Sequence, residues 1–357
     1  MYKTYKVRIY PNSYQKSFIE NIFISQRLIY NYYLSMLKSK KIDEKFKIEI
    51  DDTILNNYPI LKKVDKDILL NTLIKLKNNI KNKNINNILY KTKHQKNSYI
   101  IKDKITIDNN KIIIPNIGQV KFNYKTSING KIIYIIIMRD KNGNYYVSIL
   151  SSLKERKKVK PKNIVGIDIG IKKLLTLSDG NTVSKNKNTT KIQKRINLNQ
   201  RKLSKKQRHS RNYYKQLKRL NKYYWKLEQC RKHYINNITT KIVNNYDIIV
   251  CESLDINNML KGNISKKILN ASFNEIIKQL KYKCQSKGKY FYQTDNYFKS
   301  TQTCSVCGTI NEIYKNINYR LFTCKNCGNT MDRDLNASIN IMFEGLNKHL
   351  KTVYTNR

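Results

Sequence analysis

Apolar and polar residues alternate with a period of two in two parts of the chain. Residues 4–10 form the first part, which Pro11 ends, and residues 98–151 form the second, where Asn-, Asp- and Gly-containing turns separate short apolar stretches. This alternation is typical of half-buried β-strands. It predicts a small antiparallel barrel or sandwich that the N-terminal strand completes.

Apolar residues recur every three or four positions elsewhere, which predicts helices. In the longest of these stretches, an apolar seam with spacings mostly of three, four or seven favours a coiled-coil-like contact. The seam consists of Leu217, Leu220, Tyr224, Leu227, Tyr234 and Ile238. Apolar runs between the later helices indicate strands, and strands that alternate with helices indicate an α/β sheet. The predicted helices cover 13–40, most of 41–97, 190–245 with a break near 208–212, 266–287 and a last helix from Asp334, and the predicted strands lie within 163–183, 246–253 and 290–295.

The chain is strongly basic, because 71 Lys and Arg stand against 24 Asp and Glu in 357 residues, a formal net charge of +47. A bias toward A/T-rich codons explains lysine in place of arginine but not the scarcity of acids. Such a charge favours a polyanionic partner, and we expect nucleic acid. In the basic, tyrosine-rich stretch 201–234, we expect Lys and Arg to contact phosphates and most aromatic side chains to pack in the core.

An anionic membrane is the alternative partner for a basic chain. The longest apolar run, residues 132–137, has the length of a strand and is too short to span a bilayer. The N-terminal residues do not have the pattern of a signal peptide. We therefore expect an intracellular, soluble protein without a membrane partner.

Four of the seven cysteines form two C-x-x-C pairs, Cys304 with Cys307 and Cys324 with Cys327, and 16 residues separate the pairs. A glycine follows each pair, which suits the tight turn of a metal-binding knuckle. Because an intracellular protein keeps its thiols reduced, this spacing favours a tetrahedral, structural zinc site. Two disulfides and a rubredoxin-like iron site remain alternatives.

Three acids lie where predicted strands or helices begin or end. Asp168 lies in the apolar sequence GIDIG, Glu252 ends the apolar run IIVC, and Asp334 begins the last helix. Buried carboxylates are costly unless a cation neutralises them, and carboxylate-bound Mg²⁺ supports phosphodiester cleavage. Each acid also has a structural alternative: a turn cap before Gly170 for Asp168, a lysine partner for Glu252 and a helix N-cap for Asp334.

Four motifs follow one another along the chain: GIDIG, IIVCESL, KSTQTCSVCG and MDRDLNASINI. Together they resemble the TnpB family of transposon-encoded RNA-guided nucleases, to which Fanzor proteins and miniature type V CRISPR effectors are similar. The resemblance covers about 1–35 and 105–345. It implies an α/β, RuvC/RNase H-like nuclease core with an inserted four-cysteine zinc ribbon, preceded by a small wedge-like β-barrel with a helical insert.

The same resemblance assigns the site residues and the domains. It makes Asp168, Glu252 and Asp334 the catalytic ligands of Mg²⁺, with Asp334 preferred over Asp332, and it makes the four paired cysteines the ligands of zinc. The implied domains are 1–12 with 98–160 (wedge-like barrel), 13–97 (helical recognition insert), 161–298 with 329–350 (nuclease), 299–328 (zinc ribbon) and 351–357 (tail).

The implied function is Mg²⁺-dependent cleavage of a DNA target beside a short transposon-adjacent motif, directed by a guide RNA from the transposon end. The helical insert is short and diverges from the family pattern, so the sequence of that motif is not predicted. Two alternatives remain: a transposase that works without a guide, and a nucleic-acid-binding regulator of transposition that does not cleave. The acid order Asp–Glu–Asp disfavours the first, and the intact set of acids disfavours the second.

Overall fold

The computed structural model describes residues 1–44, 46–93, 97–102, 105–108, 110–123, 128–253, 272–316 and 319–355. The chain divides into two compact units, Met1–Lys154 and Glu155–Arg357, and each unit has its own hydrophobic core. None of the helices in the described ranges is both long enough and apolar enough to cross a membrane.

The first unit contains a seven-stranded antiparallel sheet. Its strands are β1 (Tyr2–Tyr10), β2 (Asn97–Ile101), β3 (Thr106–Asp108), β4 (Lys111–Ile114), β5 (Gly118–Asn123), β6 (Lys131–Arg139) and β7 (Tyr145–Ser152). They are arranged in the order β2-β6-β7-β1-β5-β4-β3. The predicted antiparallel sheet and the place of the N-terminal strand inside it are confirmed. Among the described strands, β2 and β3 end the sheet without pairing to each other, so closure into a barrel stays a prediction.

Helices share the core of the first unit with this sheet. They are α1 (Ser13–Lys38), α2 (Asp52–Asn57) and α3 (Lys66–Asn82), with 3-10 turns at Pro59–Lys63 and Ile85–Asn87. A capping box begins α1, because the Asn12 side chain accepts the Gln15 N–H at 2.8 Å and the Gln15 side chain accepts the Asn12 N–H at 3.0 Å. The helix predicted over 13–40 is confirmed. Within 41–97, the described α-helix is confined to α2 and α3.

The second unit contains a five-stranded mixed sheet. Its strands are β8 (Ile164–Ile169), β9 (Leu175–Leu177), β10 (Thr182–Val183), β11 (Ile248–Cys251) and β12 (Tyr290–Gln293). The order is β10-β9-β8-β11-β12, in which β8, β11 and β12 are parallel and β9 and β10 run antiparallel to their neighbours. All four residues of β11 are buried, as expected of a central parallel strand that is covered on both faces.

Four long helices and one hairpin complete the second unit. They are α4 (Lys187–Ser204), α5 (Arg211–Asn245), α6 (Phe273–Lys287), the hairpin strands β13 (Leu321–Thr323) and β14 (Thr330–Asp332), and α7 (Arg333–Thr355). The predicted break near 208–212 is confirmed, since Ser210 caps α5 by accepting the Tyr213 N–H at 3.1 Å. Of the helix predicted over 266–287, residues 266–271 lie outside the described residues, and Gly288 ends it with φ of +70°.

The apolar seam of α5 is divided between two cores. Leu220 and Leu227 pack with Ile196 of α4, whereas Ile235 and Ile242, further along α5, belong to the core of the sheet. Tyr224, which the seam includes, is 42% exposed. The first half of the seam thus forms a helix–helix contact, whereas the second half packs against the sheet core, because the two halves of a single long helix have different partners.

Gly166 of β8 allows the last helix to cross the sheet at very short range. A Cβ atom at this position would lie 2.0 Å from the Ser338 carbonyl oxygen and 2.5 Å from the Met342 amide nitrogen, both in the backbone of α7. No side chain fits there without displacing α7. The glycine two residues before Asp168 thus permits the contact that brings the first turn of α7 beside β8.

Candidate active site and metal centre

Asp168 lies at the carboxyl end of β8, between the buried residues Ile167 and Ile169, and is itself half-buried. Desolvation is the largest cause that raises its pKa, to about 8, and the negative charges of Glu252 and Asp334 raise it further. The charge of Arg333 opposes the rise. No described lysine or arginine forms an ion pair with Asp168. The charged form of this carboxyl group therefore has no ion-pair partner among the described lysines and arginines.

Glu252 follows β11, which is the parallel neighbour of β8. Cys251 pairs with Ile167, so the next step of the register places Glu252 level with Asp168. Burial raises the pKa of Glu252, and a hydrogen bond from the Ser300 hydroxyl, 3.3 Å from Oε1, opposes that rise. Among the described residues Glu252 has no lysine partner, so the structural alternative for this acid is not realised.

Asp334 is in the first turn of α7, but it does not cap the helix. The capping side chain is Asp332, whose Oδ1 accepts the N–H of Asp334 at 2.9 Å and the N–H of Leu335 at 3.2 Å. Asp332 also accepts a hydrogen bond from Lys173 Nζ at 2.9 Å. Burial opposes ionisation of Asp332, but these hydrogen bonds outweigh it and lower the pKa. Asp334 therefore remains part of the acid cluster. Arg320 Nη1 lies 3.8 Å from its Oδ1.

The Asp168 side chain does not cap the turn before Gly170 through the Gly170 N–H, which was the structural alternative for this acid. The Gly170 N–H donates to the Leu174 carbonyl oxygen at 3.2 Å. Three different elements, β8, β11 and α7, thus bring three acids into one electrostatic cluster, in which two of the carboxyl groups raise the pKa of the third. Oxygen ligands with an excess of negative charge are the donors that Mg²⁺ requires, so these residues fit that ion. The ligand oxygens of the three acids do not all lie within 4.8 Å of one another. Among the described residues, only the four cysteines form a group of three or more potential metal ligands that is this compact.

The four paired cysteines form one cluster, with all sulfur atoms within 4.8 Å of one another. Cys304 Sγ lies 3.7 Å from Cys327 Sγ, and Cys307 Sγ lies 3.5 Å from Cys324 Sγ. All four are free thiols. The alternative of two disulfides is therefore not realised, and the tetrathiol set suits zinc or iron.

Each cysteine pair lies in a knuckle of the same geometry. The N–H groups of Gly308 and Gly328 donate to the carbonyl oxygens of Cys304 and Cys324 at 2.9 and 3.0 Å. Both glycines have positive φ angles, +75° and +70°, which favour glycine and account for its place after each pair. Hydrogen bonds from Thr309 lower the pKa of Cys307 to about 5. A thiolate at neutral pH is the form that binds a metal.

Buried asparagines around the cysteine cluster are functional candidates that sequence reasoning missed. Asn311 is 1% exposed, and its side chain bonds the Thr309 carbonyl oxygen and the Lys325 N–H. Asn336 and Asn340 are also buried and bond the backbone of the first knuckle from α7. The i, i+4 spacing of the last two, which places them on one face of α7, was the available sign of this role.

A basic helical hairpin is the main charged feature of the second unit. We use this name for residues 180–227, which contain sixteen Lys and Arg and no Asp or Glu. Of the aromatic side chains in 201–234, Tyr223 and Tyr234 pack against hydrophobic cores, whereas Tyr214 and Tyr224 are 41% and 42% exposed. Their hydroxyl groups instead contact His209 Nδ1 at 3.1 Å and Gln200 Nε2 at 2.7 Å.

Three family models match the chain in sequence. Residues 146–263 match OrfB_IS605, described as "Probable transposase", and residues 273–341 match the Cas12f1-like TNB domain. Residues 1–40 match a helix-turn-helix domain of the OrfB_IS605 group. In this chain residues 1–40 form one strand and one helix, rather than two helices.

Several curated proteins are similar to parts or most of the chain. A candidate RNA-guided DNA endonuclease of Streptomyces pristinaespiralis is 31% identical over 59% of this chain and 52% of its own length. The corresponding Escherichia coli K12 protein, InsQ, is 27% identical over 68% of this chain and 64% of its own. The TnpB-like protein L770 of Acanthamoeba polyphaga mimivirus is 25% identical over 96% and 73%. The chain thus spans about half to two thirds of the length of the two bacterial relatives.

Solved structures give a weaker match. A cryo-EM structure of a Cas12f1–sgRNA–target DNA complex aligns with 96% of this chain and 99% of its own at 17% identity and a TM-score of 0.40. A CRISPR–Cas12f ternary complex aligns with 91% and 82% at 19% identity and a TM-score of 0.41. Superpositions at this level do not establish a common fold.

Proposed function

Because this chain belongs to the TnpB family, we propose that it is an RNA-guided, Mg²⁺-dependent DNA endonuclease of a mobile element. Its target would be DNA next to a short transposon-adjacent motif, selected by pairing with a guide RNA from the transposon end. This function is supported by relatives in two bacteria, both of which are named as candidate RNA-guided DNA endonucleases. Base pairing would supply the sequence specificity, and the protein would supply the positive charge that binds nucleic acid and the groups that cleave DNA.

The order of strands in the second unit supports a RuvC/RNase H-like core. Three antiparallel strands, β8 to β10, lie on one side, and β11 and β12 continue the sheet parallel to β8. Asp168 is the penultimate residue of the central strand β8, and Glu252 follows its parallel neighbour β11. The proposed domain division is the one made from the sequence, in which 161–298 and 329–350 form the nuclease and 299–328 the ribbon.

Asp168, Glu252 and Asp334 are the proposed ligands of Mg²⁺. When bound there, Mg²⁺ would activate water and stabilise the leaving oxygen of the phosphodiester. The three carboxyl groups would supply the negative charge that attracts the ion. Asp332 is engaged by Lys173 and by two amides of α7, and the charge of Asp334 raises the pKa of Asp168 more than the charge of Asp332 does.

The cysteine cluster is the proposed zinc site, with a structural role. Its four thiols occupy all positions of a tetrahedral ion, so no position remains for a substrate. The partners of the basic hairpin are proposed to be the phosphates of guide RNA and DNA target. Sixteen positive charges without an acid can neutralise a nucleic-acid backbone, and exposed tyrosines between them offer flat surfaces to bases.

One observation carries this proposal: β8, β11 and α7 bring three acids into one cluster, where burial of Asp168 and the charges of Glu252 and Asp334 raise the pKa of Asp168 to about 8. In the test, the protein is purified from cells that carry its gene together with the flanking genomic DNA, and the RNA that copurifies is sequenced. The ribonucleoprotein is then given Mg²⁺ and DNA that contains the complement of that RNA. We expect cleavage by the wild type and by Asp108→Asn, an exposed control at the end of β3, and none by Asp168→Asn.

The remaining outcomes separate the alternatives. Cleavage by Asp168→Asn would reject the acid cluster as the active site. Cleavage that does not need the RNA would favour the unguided transposase. Retained RNA without any cleavage by the wild type would favour the regulator.

A further inference from the structure

Ser300 is a buried residue whose hydroxyl group contacts the acid cluster. It is 2% exposed, and its Oγ donates to Glu252 Oε1 at 3.3 Å. Glu252 directly follows the last residue of β11. The Ser300 hydroxyl is therefore a contact that can limit the rotation of the Glu252 side chain.

Asn340 of α7 holds Ser300 in turn. Its Nδ2 donates to the Ser300 carbonyl oxygen at 2.8 Å and to the Thr303 carbonyl oxygen at 2.6 Å. The Asn340 side chain is 6% exposed, so water competes little for these bonds. Both acceptors belong to the short segment 300–305, which leads into the first cysteine knuckle.

Asn336, one helical turn earlier, fastens the same segment a second time. Its Nδ2 donates to the Thr303 carbonyl oxygen at 2.7 Å, and its Oδ1 accepts the Ser305 N–H at 2.9 Å. Asn336 is two residues from Asp334 on α7. One helix thus carries an acid of the cluster and the two amides that fasten the segment 300–305, and with it Cys304 and Ser300.

We propose that Ser300 and Asn340 are positioning residues that orient Glu252 for metal binding and couple the cysteine ribbon to the acid cluster. This inference rests on the proposed function, because it assumes that the acids bind a divalent ion. Neither residue touches the reacting atoms. Hydrogen-bond partners of metal ligands commonly change metal affinity about 10- to 100-fold when they are removed.

The test measures Mn²⁺ binding by electron paramagnetic resonance in the zinc-loaded, full-length protein. Binding that Asp168→Asn abolishes defines the acid site. Ser300→Ala is expected to weaken that binding about tenfold, and Ser300→Thr, which keeps the hydroxyl group, to restore most of it. Ser305→Ala is the matched control, because its hydroxyl lies in the same segment but contacts Met331 Sδ at 3.6 Å.

Asn340→Leu is expected to weaken Mn²⁺ binding in the same direction as Ser300→Ala. Because both residues act through Glu252, the double variant should lose less affinity than the sum of the two single losses. Unchanged Mn²⁺ affinity in Ser300→Ala, or an equal loss in Ser305→Ala, would overturn the positioning role while leaving the proposed function intact. A wild type that binds no Mn²⁺ at the acids would overturn both.

Discussion

At the scale of single residues, neighbouring acids have different roles because their partners differ. Asp332 has a lysine and two backbone amides, which lower its pKa, whereas desolvation and then the charges of two other acids raise the pKa of Asp168 to about 8. The family resemblance divided the roles of Asp332 and Asp334 in favour of Asp334, but the residues of the motif alone gave no physical reason for it. That division depends on which side chain accepts the first amides of α7, and only the folded backbone decides it.

The raised pKa of Asp168 predicts a pH-dependent effect of its replacement. From its ordinary value of 3.8 up to about 8, the unfolded chain loses the proton while the folded protein keeps it, so the free energy of unfolding falls as pH rises. Asp168→Asn removes this loss. Without added Mg²⁺, its melting temperature should exceed that of the wild type by about 5 °C at pH 8 and by little at pH 4. Equal differences at both pH values, in differential scanning calorimetry, would contradict the argument.

At the scale of elements, the sequence predicted well what local chemistry determines. Period-two strands, the break before α5 and the joining of the cysteine pairs all follow from turn residues and ligand spacing. The divided seam of α5 and the brace from Asn336 and Asn340 were not predictable, because each depends on which distant segment the helix contacts. The sequence does not show whether an asparagine side chain faces solvent or forms hydrogen bonds to the backbone of a knuckle.

The cysteine cluster predicts a specific loss of metal. Cys307→Ser removes one of four ligands, so the purified protein should lose most of about one zinc ion per chain and melt at a lower temperature. Cys230→Ser, at a cysteine of α5 outside the cluster, should keep its zinc. Elemental analysis by mass spectrometry measures both. Full zinc content in Cys307→Ser would contradict the assignment, and iron in place of zinc would leave the ligand set but change the ion.

The crossing of α7 over β8 predicts that Gly166→Ala is strongly disruptive. The added Cβ would lie 2.0 Å from a backbone oxygen, and a helix backbone cannot retreat as a flexible side chain can. We expect a loss of stability of about 1–3 kcal/mol and weaker Mn²⁺ binding, since α7 carries Asp334. Chemical denaturation and Mn²⁺ titration test this together. A stable variant with wild-type Mn²⁺ affinity would show that the close contact does not position the acid.

At the scale of the whole molecule, charge is the dominant property. The net charge of +47 demands a polyanion, and the basic hairpin concentrates sixteen positive charges in one stretch. Its composition was evident from the sequence, but the exposure of Tyr214 and Tyr224 was not, because tyrosine is common both in cores and on nucleic-acid-binding surfaces.

The hairpin should therefore contribute to the salt dependence of RNA binding. Arg211, Lys215 and Lys218 lie along one face of α5, and replacing all three by Gln should reduce the slope of log affinity against log salt by about 2. Asn212→Gln, a neutral change in the same turn, should leave the slope unchanged. An unchanged slope in the triple variant, measured by filter binding at several salt concentrations, would place the RNA elsewhere.

The most direct test of RNA-guided cleavage is to change the guide. The purified protein is reconstituted with its copurifying RNA, in which the segment complementary to DNA has been replaced, and offered Mg²⁺ with two DNA targets that differ only in that segment. The account predicts that cleavage moves to the DNA that matches the new RNA and is lost on the original. Cleavage that stays on the original DNA, or proceeds without any RNA, would contradict it.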